Sequence, residues 1–136
     1  MTIKIKRGSA DTAKVIFNWN GKKLIKGNAS YGEVAYNFDG QYIREGNSSF
    51  NKVLYNWDGQ NLRLGNHKQG NIELNVLASG KLVDGSATTG DVLCNWKDGK
   101  LRWGADETGN IEYNWNGDLP TPIIILTLLE ENKISL

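Results

Sequence analysis

Val53-Leu54-Tyr55-Asn56-Trp57-Asp58-Gly59 decides how this chain folds, because it is one copy of a repeat. Val15-Ile16-Phe17-Asn18-Trp19-Asn20-Gly21 and Val34-Ala35-Tyr36-Asn37-Phe38-Asp39-Gly40 are close relatives of it, and weaker copies start at Ile72, Val92 and Ile111. The spacing is 19 residues, except for 20 between Ile72 and Val92. Asn holds the fourth position of every copy: Asn18, Asn37, Asn56, Asn75, Asn95 and Asn114. Leu24, Ile43, Leu62, Leu82 and Leu101 follow nine residues after the start of each copy, ten in the copy at Ile72, and then Gly27, Gly46, Gly65, Gly85 and Gly104. Self-similarity at a fixed period marks a repeat architecture.

Within a copy the apolar residues alternate. Val53, Tyr55 and Trp57 fall on one side and Leu54 and Asn56 on the other, which is the period of a half-buried strand. Asp58-Gly59 is a strong hairpin signal, repeated as Asn20-Gly21, Asp39-Gly40 and Asn116-Gly117. A two-residue type I′ turn there predicts Trp57 opposite Gln60, Tyr55 opposite Leu62 and Val53 opposite Leu64. The copy at Val92 moves its turn to Lys97-Asp98-Gly99. The copy at Ile72 carries an extra residue around Ala78-Ser79-Gly80, which predicts a wider turn or a bulge. The inward set expected from this register is Val15, Phe17, Trp19, Val34, Tyr36, Phe38, Val53, Tyr55, Trp57, Ile72, Leu74, Val76, Val92, Cys94, Trp96, Ile111, Tyr113 and Trp115, with the Leu and Ile landmarks.

The two ends carry complementary halves of a repeat. Ile3-Lys4-Ile5-Lys6-Arg7-Gly8 aligns with a second strand, and Ile111-Glu112-Tyr113-Asn114-Trp115 is a first strand. Pairing them leaves no open edge. The expected fold is all-β: six hairpin repeats, about twelve short antiparallel strands in the sense of small repeat folds, closed by the terminal halves in a β-prism-like or β-trefoil-like form. An open hairpin solenoid is the alternative. Residues 1–119 make one repeat domain. Residues 120–136 form a tail whose core, Ile123-Ile124-Ile125-Leu126-Thr127-Leu128-Leu129, is almost uniformly apolar. Either it plugs the core as a strand or short helix, or Ile123, Ile124, Ile125, Leu126, Leu128 and Leu129 join copies of the chain into an oligomer.

Composition narrows the function classes. The 136 residues include 16 Gly, 16 Asn, 5 Trp, 1 His and 1 Cys, with a net charge of +1. One Cys excludes an internal disulfide framework, and so few soft ligands argue against a zinc or iron–sulfur site. The near-zero charge and mixed signs give no phosphate track, so no nucleic-acid partner is expected. No apolar run reaches membrane-spanning length. Thr2-Ile3-Lys4-Ile5 lacks a signal peptide's apolar stretch, which points to the cytoplasm or to release without a classical signal. No nucleophile elbow, phosphate loop or zinc-protease motif is present, no cofactor is implied, and no catalytic residue stands out. His67 sits in a loop, Cys94 in an inward register, and Asp39, Asp58 and Asp98 at turns that favour Asp.

The outward face is the remaining place for function. Each copy offers its Asn there, and the eleventh position is often a cation: Arg44, Arg63, Arg102. One reading is structural, with Asn bonding main chain beside the turn. The other is a set of equivalent shallow polar sites. Amides and carboxylates match the mixed donors and acceptors of sugar hydroxyls, and aromatic faces stack on pyranose rings. Tyr42, Trp103, Tyr31 and Phe50 are the aromatics outside the core register. A non-enzymatic, multivalent carbohydrate-binding module is thus the leading expectation, with glycans as partners; a structural protein that assembles through its repeat and tail is the second.

Two resemblances bear on the fold. Val53-x-Tyr55-Asn56-Trp57-Asp58-Gly59-x-x-Leu62 resembles the YD repeat of Rhs-type proteins, which implies a shell of β-hairpins. Asn51-Lys52-Val53-Leu54-Tyr55 resembles the end of the Gln-x-Asp-x-Asn-x-Val-x-Tyr motif of monocot mannose-binding lectins, with Asn47 and Ser49 at its Gln and Asp positions. That resemblance implies a β-prism.

Overall fold

The computed structural model describes residues 2–136; Met1, the first residue of the expected repeat domain, lies outside them. Strands follow one another as β1 (Ile3–Arg7), β2 (Val15–Trp19), β3 (Lys23–Lys26), β4 (Val34–Phe38), β5 (Tyr42–Glu45) and β6 (Val53–Trp57). They continue as β7 (Asn61–Leu64), β8 (Ile72–Leu77), β9 (Lys81–Asp84), β10 (Val92–Lys97), β11 (Lys100–Trp103) and β12 (Tyr113–Trp115), and the helix α1 (Thr121–Glu130) ends the order. Every strand pairs antiparallel with the next, and β1 pairs with both β2 and β12. Ile5 lies opposite Trp115, Lys6 opposite Asn114 and Arg7 opposite Tyr113. The half-repeats therefore close the ring, and an open solenoid is ruled out. Closure makes one barrel of six hairpins around a single axis, not the threefold prism or trefoil of the sequence expectation.

The turns are wider than a type I′ turn at most hairpins. Trp57 pairs with Leu62, Asn56 with Arg63 and Tyr55 with Leu64, two residues away from the predicted register. The cause is the Asp58 side chain. Its Oδ1 accepts the main-chain N–H groups of Gln60 at 2.9 Å and Asn61 at 2.7 Å, an Asx turn that spans four residues. Asn20 and Asp39 do the same for their turns. A shift of two leaves every side chain on its expected side, since only odd slips exchange the faces. The type I′ turn occurs instead at Asp98-Gly99, where both residues have positive φ (54° and 74°) and Lys97 pairs with Lys100. Ala78-Ser79-Gly80 forms the expected wider turn, with Leu77 paired to Lys81.

A bulge recurs between hairpins, and it corrects the inward set. Ile43 pairs with Tyr55 but the next residue, Arg44, pairs with Val53, so Leu54 is extra. Equivalent register shifts occur at β1–β2, β3–β4, β7–β8 and β9–β10. One extra residue exchanges the two faces of the strand beyond it. Val15, Val34, Val53, Ile72 and Val92 therefore lie opposite outward residues and are only half-buried. Bulges also bend and twist the strand pair, which helps close the wall. The remaining landmarks form the inner surface: Ile5, Leu24, Ile43, Leu62, Leu82 and Leu101 are each 0–1% exposed.

Side chains fill the interior of an eight-stranded barrel, so twelve strands leave a lumen. The tail fills it. Ile123, Ile124, Ile125, Leu126 and Leu128 are 0–3% exposed and share one core with Phe17, Trp19, Leu74, Cys94, Tyr113 and Trp115. A helix surrounded by wall is apolar on all faces, which is why the tail has no amphipathic period. Pro120 and Pro122 start it, where missing N–H groups cost nothing. Asn132 ends it with φ 58°: Lys133 N–H reaches the Leu128 carbonyl at 2.9 Å and Asn132 N–H the Leu129 carbonyl at 3.0 Å. Ile123, Ile124, Ile125, Leu126 and Leu128 are thus enclosed by the wall and Leu129 partly covered, so they do not form an oligomer surface. The tail belongs to the same folding unit as residues 2–119.

Candidate functional site

The six asparagines face outward from the strands yet are buried, 0–8% exposed. The loop after each hairpin folds back over them. Asn56 Nδ2 donates to the carbonyls of Gly65 at 2.8 Å and His67 at 3.0 Å. Asn18 reaches Gly27 and Ala29, Asn37 reaches Gly46 and Ser48, Asn75 reaches Gly85 and Ala87, and Asn95 reaches Gly104 and Asp106. Asn114 closes the ring by reaching Gly8 and Ala10 across the chain ends. The glycines aim these carbonyls: Gly65 has φ 72°, a left-handed conformation that favours glycine. The asparagine series is a bracket for the loops, the structural role that its position beside the turn allowed.

The cations at the eleventh position divide. Arg44 approaches Asp39 Oδ2 at 3.5 Å and lies 5.6 Å from the centre of the Tyr42 ring. Arg63 pairs with Asp58. Arg102 instead donates from Nε to the Gly109 carbonyl at 2.9 Å. Ile25 and Val83 occupy the same position in other repeats and are covered there. Trp103 packs edge-on against Tyr113 at 6.3 Å, which makes it a half-buried wall residue. Tyr31 and Phe50, 19 residues apart, stand 91% and 96% exposed on adjacent loops.

These differences leave two matching grooves. One, of about 630 Å³, is bounded by Lys22 and Lys23 of the first turn, Asn37, Phe38, Asp39 and Arg44 of the second hairpin, and Asn47 and Ser49 of the returning loop. The other, about 640 Å³, is bounded by Gln41, Asn56, Trp57, Asp58, Arg63 and Lys68. Asn37 and Asn56, Phe38 and Trp57, Asp39 and Asp58, Arg44 and Arg63, and Ser49 and Lys68 are pairs offset by 19. Both grooves are of a size that suits a small ligand. Asn37 and Arg44 border the first and Asn56 and Arg63 the second, whereas Asn18, Asn75, Asn95, Asn114, Arg102 and Trp103 bound neither, and Tyr42 only flanks the first through Arg44. Lys22, Lys23, Ser49 and Lys68 were not among the expected site residues. The offset of 19 applied to loop positions, not strand positions, is the signal that finds the last two.

Both turn carboxylates stay ionised. Burial works against the charge of Asp58, but the Asn61 N–H, the Arg63 guanidinium and the Gln60 N–H outweigh it and hold the carboxyl well below the usual range. Asp39 is lowered in the same way by Tyr42, Gln41 and Arg44, against the effect of burial. Such groups are fixed hydrogen-bond acceptors and poor proton donors. The opposite end of the barrel holds a different cluster. Glu131 accepts Arg7 Nε at 2.6 Å and Nη2 at 2.8 Å, and the Tyr113 hydroxyl at 3.2 Å. It ties the C-terminal end of the helix to β1 and β12. Cys94 is enclosed, and burial pushes its thiol up to about 12, so it is an inert core residue.

No curated protein and no solved structure matches the chain. A family model described as a 6-fold beta flower protein matches residues 2–79. That stretch covers the first strand, three whole hairpins and the first strand of a fourth, and with them every residue that borders the two grooves except Pro120. The match is to a repeated β-hairpin family, in agreement with the six hairpins around one axis, and with it the chain belongs to the 6-fold beta flower family.

Proposed function

We propose that the chain binds carbohydrate, without catalysis, at the two grooves between its first three hairpins. The observation that carries this reading is the repetition of one groove: an Asn, an aromatic, an Asp and an Arg recur 19 residues apart around nearly the same volume. Each groove combines a carboxylate acceptor, a guanidinium donor and an aromatic side, the set that sugar hydroxyls and ring faces engage. Phe50 follows the groove residue Ser49 in the chain and is almost fully exposed, so its ring is free to stack. Two sites on a rigid body gain strength together when a ligand spans both. The asparagines serve this reading indirectly, by bracketing the loops that form the lips.

A glycan array with the intact chain tests the reading, followed by calorimetric titration of the best ligand. Arg63→Ala and Phe50→Ala are expected to weaken binding several-fold each, while Thr89→Ala, at the position of Phe50 in another repeat, leaves it unchanged. A blank array, or hits that both variants retain at full strength, would overturn it.

A further inference from the structure

Building on that reading, we infer that the saccharide is anionic and that the first groove holds its carboxylate or sulfate groups through Lys22, Lys23 and Arg44. The net charge of +1 conceals a division. Residues 1–70 carry 11 Lys and Arg against 5 Asp and Glu, whereas residues 71–115, the rest of the wall, carry 4 against 7. Strand order around the barrel equals chain order, so the division becomes spatial: β1 to β7 form a basic side and β8 to β12 an acidic one. Both grooves open on the basic side.

Within the first groove three cations face one carboxylate, Asp39. Asp39 Oδ1 is already engaged by two main-chain N–H groups and Oδ2 is 3.5 Å from Arg44. Lys22 and Lys23 form no ion pair among the described residues. Pro120, the residue that caps the start of the helix, also borders the groove, and the helix's first turn holds no acidic side chain. The positive end of the helix dipole thus adds to the same sign. A neutral sugar has no use for clustered like charges, which repel one another until an anion arrives; a cleft lined by one sign concentrates ligands of the other. The acidic side interrupts any continuous phosphate track around the ring, which favours a short acidic saccharide over nucleic acid.

Titration of the intact chain with a polysulfated, a polyuronate and a neutral hexasaccharide distinguishes these cases. At least one anionic probe is expected to bind about tenfold or more tightly than the neutral one at about 50 mM salt, with the gap closing by about 500 mM. Which anionic probe wins separates sulfate from carboxylate. The Lys22→Gln/Lys23→Gln double variant is expected to remove the preference, and Lys97→Gln/Lys100→Gln on the acidic side to keep it. Equal affinity for the neutral probe, or a preference that survives loss of both groove lysines, would overturn the inference while leaving the carbohydrate reading intact. Binding of a short DNA duplex as tightly as the best saccharide would overturn it as mere polyanion attraction. Failure of all three saccharides would overturn the carbohydrate reading itself.

Discussion

The wall and the plug of this barrel are stabilised by different means. The wall is periodic and local: each repeat carries an asparagine bracket and a left-handed glycine, and three of the turns add an Asn or Asp side chain that holds the main chain. The plug occurs once, follows no period and touches hairpins from all parts of the chain. Errors in the wall fall on one repeat among six, whereas errors in the plug fall on the common core. The comparison teaches that a sixfold wall of this width depends on a seventh, unrelated element to fill its centre.

Removing the plug tests that dependence most severely. A chain truncated after Leu119 retains every strand but empties the lumen. It is expected to lose near-ultraviolet circular dichroism and a cooperative melt while binding a hydrophobic dye. An unchanged melting temperature would show that the wall suffices alone. A milder version is Leu126→Ala, which leaves a cavity in a side chain that is 0% exposed. Denaturant titration should report a loss of about 2–5 kcal/mol.

In the wall, Asn56→Ala leaves the Gly65 and His67 carbonyls without their donor. The expected cost is about 1–3 kcal/mol, because the amide is buried but the loop can let water in. A loss as large as that of Leu126→Ala would erase the contrast between the regions.

Arg7 and Glu131 join the two regions, and their pair should be weaker still. The Arg7 hydrogen bond is the largest of the effects that lower the Glu131 pKa from 4.5. A carboxyl lowered in the folded state stabilises above its unfolded value, and that contribution fades as pH falls through the folded pKa. The Arg7 side chain is 62% exposed, so Arg7→Met should cost about 1 kcal/mol or less at pH 7. Chemical denaturation at several pH values should show the gap closing below about pH 4. A gap that widens in acid would contradict this sign. The smallest effect belongs to Asp58→Asn. The amide oxygen still accepts the Gln60 and Asn61 N–H groups, so the variant should lose about 0.5 kcal/mol or less, the value of a partly exposed ion pair.

Much of the wall was legible in the sequence. The offset of 19, the complementary ends and the turn residues gave six hairpins and their closure. The register at Trp57 was misread by two because the Asp58 side chain competes with the type I′ geometry, and the parity hid the slip. The valines that open each copy were misplaced because a bulge has no signature of its own in an alternating strand. The tail left open whether it was plug or oligomer contact, since a uniformly apolar segment carries no directional signal. The grooves were legible only in part: Arg44 and Arg63 stand out by their place in the repeat, and the asparagines, which beside a tight turn favour a bracket over a ligand contact, are seen as brackets once the loops fold over them. Lys23 is legible as one of the cations near the outward face, with Lys4, Lys81 and Lys100, whereas Lys22, beside a turn already explained, carries no separate signal.

Closure of the ring is the claim on which the wall, the lumen and the paired grooves all depend. Nuclear Overhauser spectroscopy on the labelled protein reads it directly. Cross-strand contacts should join the backbone of Ile5 to Trp115 and of Arg7 to Tyr113, alongside those from Ile3 to Trp19. If Ile3–Arg7 shows contacts to β2 alone and none to β12, the barrel is open and the account fails.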